Sequence, residues 1–310
     1  MAIQDVRVGE GVDAGAGAAP LVPPVGATSP VQVRSEVWRR FRRNRLATIG
    51  MVIISLEIVG AVLAPLVTFS DPTKINPTAS RLSPGVAHWF GTDLLGRDMY
   101  SRVVYGARIS LEVGIFAVLI ALAIGLIAGA LSGYFGGVID TFVMRVTDVF
   151  LAFPYILAAI VIITAVGRGK TAVIVVLGLL GWMPVARLFR AGVLQVKETE
   201  YVEAARAIGA GHVRILTRHI LPNAIQPVVV YATIFVGTAV LSEAALSFLG
   251  VGITEPTPAW GLMVAQGKDF LFSSPHMLFF PGAAIFLTVM AFVFVGDGLR
   301  DALDPRLRGA

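Results

Sequence analysis

None of the 310 residues is a cysteine. That excludes a disulfide framework, a thiolate nucleophile and a cysteine metal site. Histidine is scarce: His88, His212, His219 and His276 lie scattered, without the spacing of a metal-binding helix. Charged residues make up only 15% of the chain, well under the roughly 25% of an ordinary soluble domain. No Ser-His-Asp arrangement has local support. Gly169-Lys170-Thr171 looks like the end of a phosphate loop, but that motif needs a glycine five residues before Gly169, where Thr164 stands. The expectation is a chain that is not an enzyme and binds no cofactor or nucleotide itself.

What is present instead is apolar sequence. Hydrophobic residues form 56% of the chain, and the mean hydropathy is +0.79. Runs of about 20 apolar residues read as membrane-spanning helices, because backbone groups in lipid must bond internally. The expected fold class is an all-α polytopic membrane protein with six transmembrane helices. These run from about Leu46 to Phe69, Ile109 to Leu131, Val146 to Val166, Thr171 past Pro184 toward Leu194, Ile225 to Leu249, and Met277 to Val295.

The remaining segments sort around those spans. Residues 1–33 are rich in Gly, Ala, Val and Pro and lack the pattern of a signal peptide, so a disordered tail is expected. Residues 34–108 hold a basic anchor (Arg39, Arg40, Arg42, Arg43 and Arg45 beside Trp38 and Phe41), the first span and a polar segment. Such an anchor sits against membrane lipids on the cytoplasmic side; a nucleic-acid patch is the weaker alternative. Residues 109–304 form the five-helix remainder, with a loop at 196–224, and residues 305–310 a short tail. With the N-terminus inside, the inner segments carry 17 Lys and Arg and the outer ones 8. The bias places both termini in the cytoplasm, and with them residues 196–224.

Charges near or within the spans need a reason. Arg145 and Asp148, three residues apart, are expected to pair on one helix face. Glu57 and Glu243 are expected to make helix or subunit contacts, with a proton-carrying role as the alternative. Gly125 and Gly129 permit close helix approach. Between spans one and two, Asp93, Arg97, Asp98, Arg102 and Arg108 fall close together. They suit either an interfacial segment held by internal ion pairs or a surface at an outer gate that receives a partner.

The loop Glu200–Asn223 reads EYVEAARAIGAGHVRILTRHILPN. Glu200 and Glu203 fall in a first helical turn, where negative charge suits the dipole. Ala204, Ala205 and Ala207 favour helix, and Gly209 and Gly211 stop it. Val213, Leu216 and Ile220 then recur at helical spacing, and Pro222 is expected to end the second piece. By itself this pattern suits an amphipathic segment lying on the membrane surface.

The order Glu203-Ala204-Ala205, Gly209, Leu221-Pro222 resembles the EAA loop in permease subunits of binding-protein-dependent ABC importers. His219 stands where the general pattern has an aliphatic residue, and Ile220 is placed to supply the apolar contact. Three more stretches resemble the dipeptide and oligopeptide branch and its C-type permease: HWFGTDLLGRDMYSRVVYGARISL from His88, EAALSFLGVGITEPTPAWG from Glu243, and GDGLRDALDPRLR from Gly296. The resemblance covers about Val37 to Arg308. It implies the type I importer permease (MetI-like) fold in a bacterial inner membrane. It implies a second permease as a heterodimer partner, two ATP-binding subunits that carry the ATP, an extracytoplasmic substrate-binding protein, and a di- or oligopeptide substrate. Nucleic acid has no part in it. The implied ATPase-coupling residues are Glu203, Ala204, Ala205, Gly209, Leu221 and Pro222. With such partners, the charge pattern of Asp93, Arg97, Asp98 and Arg102 is the candidate for an outer gate or for docking of the binding protein, beside the reading as internal ion pairs. Nickel or another small solute is an alternative cargo, and an ion-coupled secondary transporter an alternative class.

Overall fold

The computed structural model describes residues 38–303; the tails expected at 1–33 and 305–310 lie outside them. Five helices are long and apolar enough to cross a membrane: α1 (Arg45–Val62), α2 (Met99–Phe135), α5 (Lys170–Lys197), α7 (Gln226–Phe248) and α9 (His276–Leu303). Between α2 and α5 lie α3 (Gly137–Leu151) and α4 (Tyr155–Val166), which meet at 88°. Two shorter helices, α6 (Glu200–Ala207) and α8 (Trp260–Gly267), sit at the bundle ends. Among the described residues there is no β-strand.

The packing of α2 against α5 fixes the topology. Gly125 faces Val185, Gly133 faces Val193 and Ile120 faces Gly178, so the two helices run side by side in the same direction. Parallel neighbours need a connection that crosses back, and only residues 136–169 are available. The bent α3–α4 pair is therefore one crossing, and the described residues make six. Small residues allow this seam: a Cβ on Gly125 would lie 2.6 Å from the Val185 side chain, and one on Gly129 2.6 Å from the Ala186 carbonyl.

The third span, expected from about Val146 to Val166, is thus a broken one that begins at Gly137. Pro154 disfavours helix at Phe153 and caps the start of α4. The expected Arg145–Asp148 pair is also absent. Asp148 pairs with Arg187, and Asp140 takes both Arg190 nitrogens at 2.5 and 2.6 Å. Because α3 crosses α5 here, cations from α5 reach these carboxylates, while Arg145 stays exposed.

Two other boundaries differ from the sequence expectation. Helix α2 begins ten residues before Ile109, because the Asp98 side chain accepts a bond from the Ser101 amide at 2.8 Å and caps it. Helix α9 continues past Val295 to Leu303, where Asp301 accepts from Asn44 at 3.2 Å. Residues 44, 136, 197–225 and 303 lie at one end of the bundle, the loop end. Residues 68–98, 167–170 and 249–275 lie at the opposite end.

Inside the bundle, one buried and one half-buried carboxylate each accept a bond from another helix. Glu243 on α7 accepts from Ser110 on α2 at 3.0 Å and from Ser247 at 2.7 Å. Glu57 on α1 accepts from Thr288 on α9 at 2.8 Å. Such bonds contribute about 1 kcal/mol each and fix which helix faces meet.

Candidate functional site

At the loop end, α6 is amphipathic. Val202 turns inward onto a cluster with Ile215, Ile220, Ala224, Val193 and Phe189, and Ala205 is buried as well. Glu203 and Ala204 turn outward. The helix closes with a Schellman turn: the Gly209 amide bonds the Arg206 carbonyl at 2.9 Å, and the Ala210 amide bonds Ala205 at 3.0 Å. Gly209 takes φ +81° there, a conformation that costs a side chain.

Beyond Gly211 the chain is helical again over His212–Ile215, widens to a π-helix over Leu216–Ile220, and resumes as Leu221–Ala224. Pro222 therefore does not end the second piece. The Leu221 amide reaches back to the Leu216 carbonyl in the wider π register, and Pro222, at the head of the next turn, needs no donor. Ile220 is fully buried and His219 lies to one side, near Tyr201.

Of the six residues expected to couple, the structure leaves Glu203, Ala204 and Gly209 exposed, with Pro222 also exposed. Ala205 serves internal packing, and Leu221 is half-buried. Sequence reasoning missed two neighbours, Ile208 and Val213, which are 86% and 75% exposed. Apolar side chains standing that far out of a polar loop suit a partner's surface. It also missed the brace beneath them. The Tyr134 hydroxyl meets His212 Nδ1 at 2.8 Å, and the Arg206 guanidinium lies over the Tyr134 ring.

At the opposite end the charged residues face inward. Asp93 accepts from Arg97 Nε at 2.6 Å, and its other oxygen accepts the Arg97 and Leu95 amides at 2.9 Å. Arg97 reaches Glu255 at 2.7 Å, and Arg102 lies 3.5 Å from Asp93 and 3.6 Å from Glu255 while donating to the Pro72 carbonyl. Asp98 caps α2 and meets His88 Nδ1 at 2.8 Å. Asp93, Arg97 and Arg102 are at most 3% exposed, whereas Glu255 is 38% exposed. The group ties residues 68–98 to α2 and to the 249–259 turn, so a partner at this end would meet Glu255 rather than the three buried charges. Glu255, 158 residues from Arg97, carried no local sequence signal.

Glu255 sits below the ordinary carboxylate range. Burial alone would push it up, but bonds from Arg97 and Gln266 and the charges of Arg102 and Arg97 outweigh that. A lowered carboxylate stabilises the fold above its unfolded value, and the contribution is lost as pH falls through the folded value. Hydrogen exchange over residues 70–98, corrected for intrinsic rate, should be level across neutral pH and rise only below the ordinary glutamate value of 4.5. A rise already at neutral pH would contradict this role.

Comparison with known proteins agrees with this architecture. The family model described as "Binding-protein-dependent transport system inner membrane component" matches residues 121–309, and the N-terminal TM domain of oligopeptide transport permease C matches residues 33–84. The dipeptide transport system permease protein DppC of Alkalihalophilus pseudofirmus is 42% identical over 92% of this chain and 94% of its own length. The glutathione transport system permease protein GsiD of Escherichia coli is 43% identical, with 94% and 96% covered. A solved structure of the MetNI methionine ABC transporter, in inward-facing conformations, has a TM-score of 0.53 at 24% identity. It covers 66% of this chain and 98% of that one, a likeness of fold. Six crossings, a loop between the fifth and fourth of them, and matches along nearly the whole chain place this protein in the binding-protein-dependent transport family, as a permease subunit of an inner-membrane ABC importer.

Proposed function

We propose that this permease forms half of a translocation pathway for di- or oligopeptides. In this reading it pairs with a second, different permease and receives cargo from an extracytoplasmic binding protein. It is driven by two ATP-binding subunits that dock on residues 196–224. The observation that carries the coupling role is the exposed surface of Glu203, Ala204, Ile208, Gly209 and Val213 on a buried underside. Underneath, Ile220, Ala224 and Val228 pack with Val185 and Phe189 of α5, so a push on the loop reaches two spans at once. The excess of Lys and Arg on this side supports a cytoplasmic loop end and cytoplasmic termini. The dipeptide and glutathione permeases among its relatives support a peptide cargo.

Mechanistically, ATP binding would draw the two ATPases together, and the docked loops would carry that motion into the bundle. The permease pair would then switch between inward-open and outward-open states by rigid-body movement. Glu203 offers a charge to a basic group of the ATPase, Ala204 permits close approach, and Gly209 sets the turn. Asp93, Arg97, Asp98 and Arg102 hold the cap that borders the outer mouth.

The complete complex, reconstituted in proteoliposomes with its binding protein, should hydrolyse ATP faster when the binding protein carries a dipeptide, and should accumulate that dipeptide. Stimulation by nickel with none by dipeptides would overturn the cargo. Accumulation on a proton gradient without the ATPases would overturn the class.

A further inference from the structure

At the opposite end, an open cleft of about 500 Å³ lies between the start of α2, the start of α5 and the Pro256–Pro258 turn. That size suits a small ligand. Its wall carries Arg108, Glu112 and Lys170, with Tyr105 beside them. Lys170 Nζ holds both Glu112 oxygens, at 2.8 and 2.9 Å, and this pair is about one-third exposed. The neighbouring arginines are committed to Asp93 and Glu255; Arg108 is in none of these ion pairs and is exposed.

Among the described residues, Arg108 thus offers a guanidinium without an ion-pair partner, one helical turn from a carboxylate that already accepts an ammonium. A zwitterion answers both groups. A carboxylate suits the planar fork of Arg108, and an ammonium can share Glu112 with Lys170. The face of α2 that begins at Arg108 and Glu112 continues through Ile115, Leu119, Leu122 and Leu126, which line an apolar groove of about 310 Å³ against α7. Charge at the mouth thus gives way to apolar wall along one helical face, an order suited to holding the termini of a peptide before its side chains move on.

We infer that this cleft is an entry subsite for the transported peptide, with Arg108 receiving its C-terminal carboxylate and Glu112 its N-terminal ammonium. The inference rests on the peptide reading above. The test uses the complete reconstituted transporter, with binding protein preloaded to saturation with either L-alanyl-L-phenylalanine or its C-terminal amide. Discrimination at loading is thereby removed. In Arg108→Gln the acid-to-amide uptake ratio should fall about tenfold, the scale of one hydrogen bond to a charged group, and Arg108→Lys should restore part of it. Glu112→Gln should likewise lower the ratio of the free dipeptide to its N-acetyl form. Unchanged ratios, whether or not total uptake falls, would overturn the subsite and leave the peptide reading standing. Wild-type vesicles that take up no dipeptide with ATP would overturn both.

Discussion

In Gly209→Val, substrate-stimulated ATP hydrolysis should fall about tenfold or more, while the transporter complex can still be purified. Gly209 holds φ +81° in the turn that closes α6. A β-branched residue in that region costs about 1–3 kcal/mol. A Cβ would meet nothing within 4 Å, so the penalty is of the backbone and not of crowding. The turn would relax, and with it the angle at which Glu203 and Ala204 are presented. Gly209→Ala should do the same less severely. Glu203→Lys reaches the same end by another route. Glu203 is exposed in the first turn of α6, so reversing its charge costs the helix about 0.3–1 kcal/mol and would repel a basic partner. Uptake undiminished in both variants would sink the coupling role.

The second large effect is expected from Arg102→Leu. Arg102 is fully buried between Asp93 and Glu255 and donates to the Pro72 carbonyl. Its loss leaves Asp93 with Arg97 alone, Glu255 with one cation fewer and a buried carbonyl without its donor. Orphaning a buried carbonyl costs about 1–3 kcal/mol, while Asp93 and Glu255 keep Arg97. The purified permease should show a lower thermal midpoint and faster exchange over residues 70–98, with the loop at 196–224 little changed. The double variant Asp93→Asn/Arg102→Leu should lose less than the sum of the two single losses, because the partners share one network. A single variant as stable as the parent would show that Arg102 holds nothing in place.

How much of this the sequence disclosed depended on the range of the physics involved. The apolar runs announced the spans, since a run of about 20 apolar residues has few other uses. The exposure of Glu203 and Ala204 on α6 agrees with their expected place at a partner surface, whereas Ala205, expected beside them, is buried. Four features were hidden. The break at Phe153-Pro154 lay in an apolar run that reads as continuous. Asp148 chose Arg187 over its helical neighbour Arg145 because a crossing helix brought it closer. Pro222 looked like a terminator because a π-helix, which shifts the bonding register, has no compositional signature. The Glu255 partner of Arg97 came from 158 residues away, across a fold that local patterns do not describe.

The lack of cysteine makes the most direct test of the central claim simple. Ala204 is exposed on α6, and Val86, 97% exposed, lies at the opposite end. Single cysteines at these positions, in native membranes containing the whole transporter, can be treated with a short thiol-to-amine cross-linker. Ala204→Cys should join an ATP-binding subunit, with a yield that changes when ATP is added, and Val86→Cys should not. Cross-linking of the ATPase from Val86→Cys and none from Ala204→Cys would contradict the account.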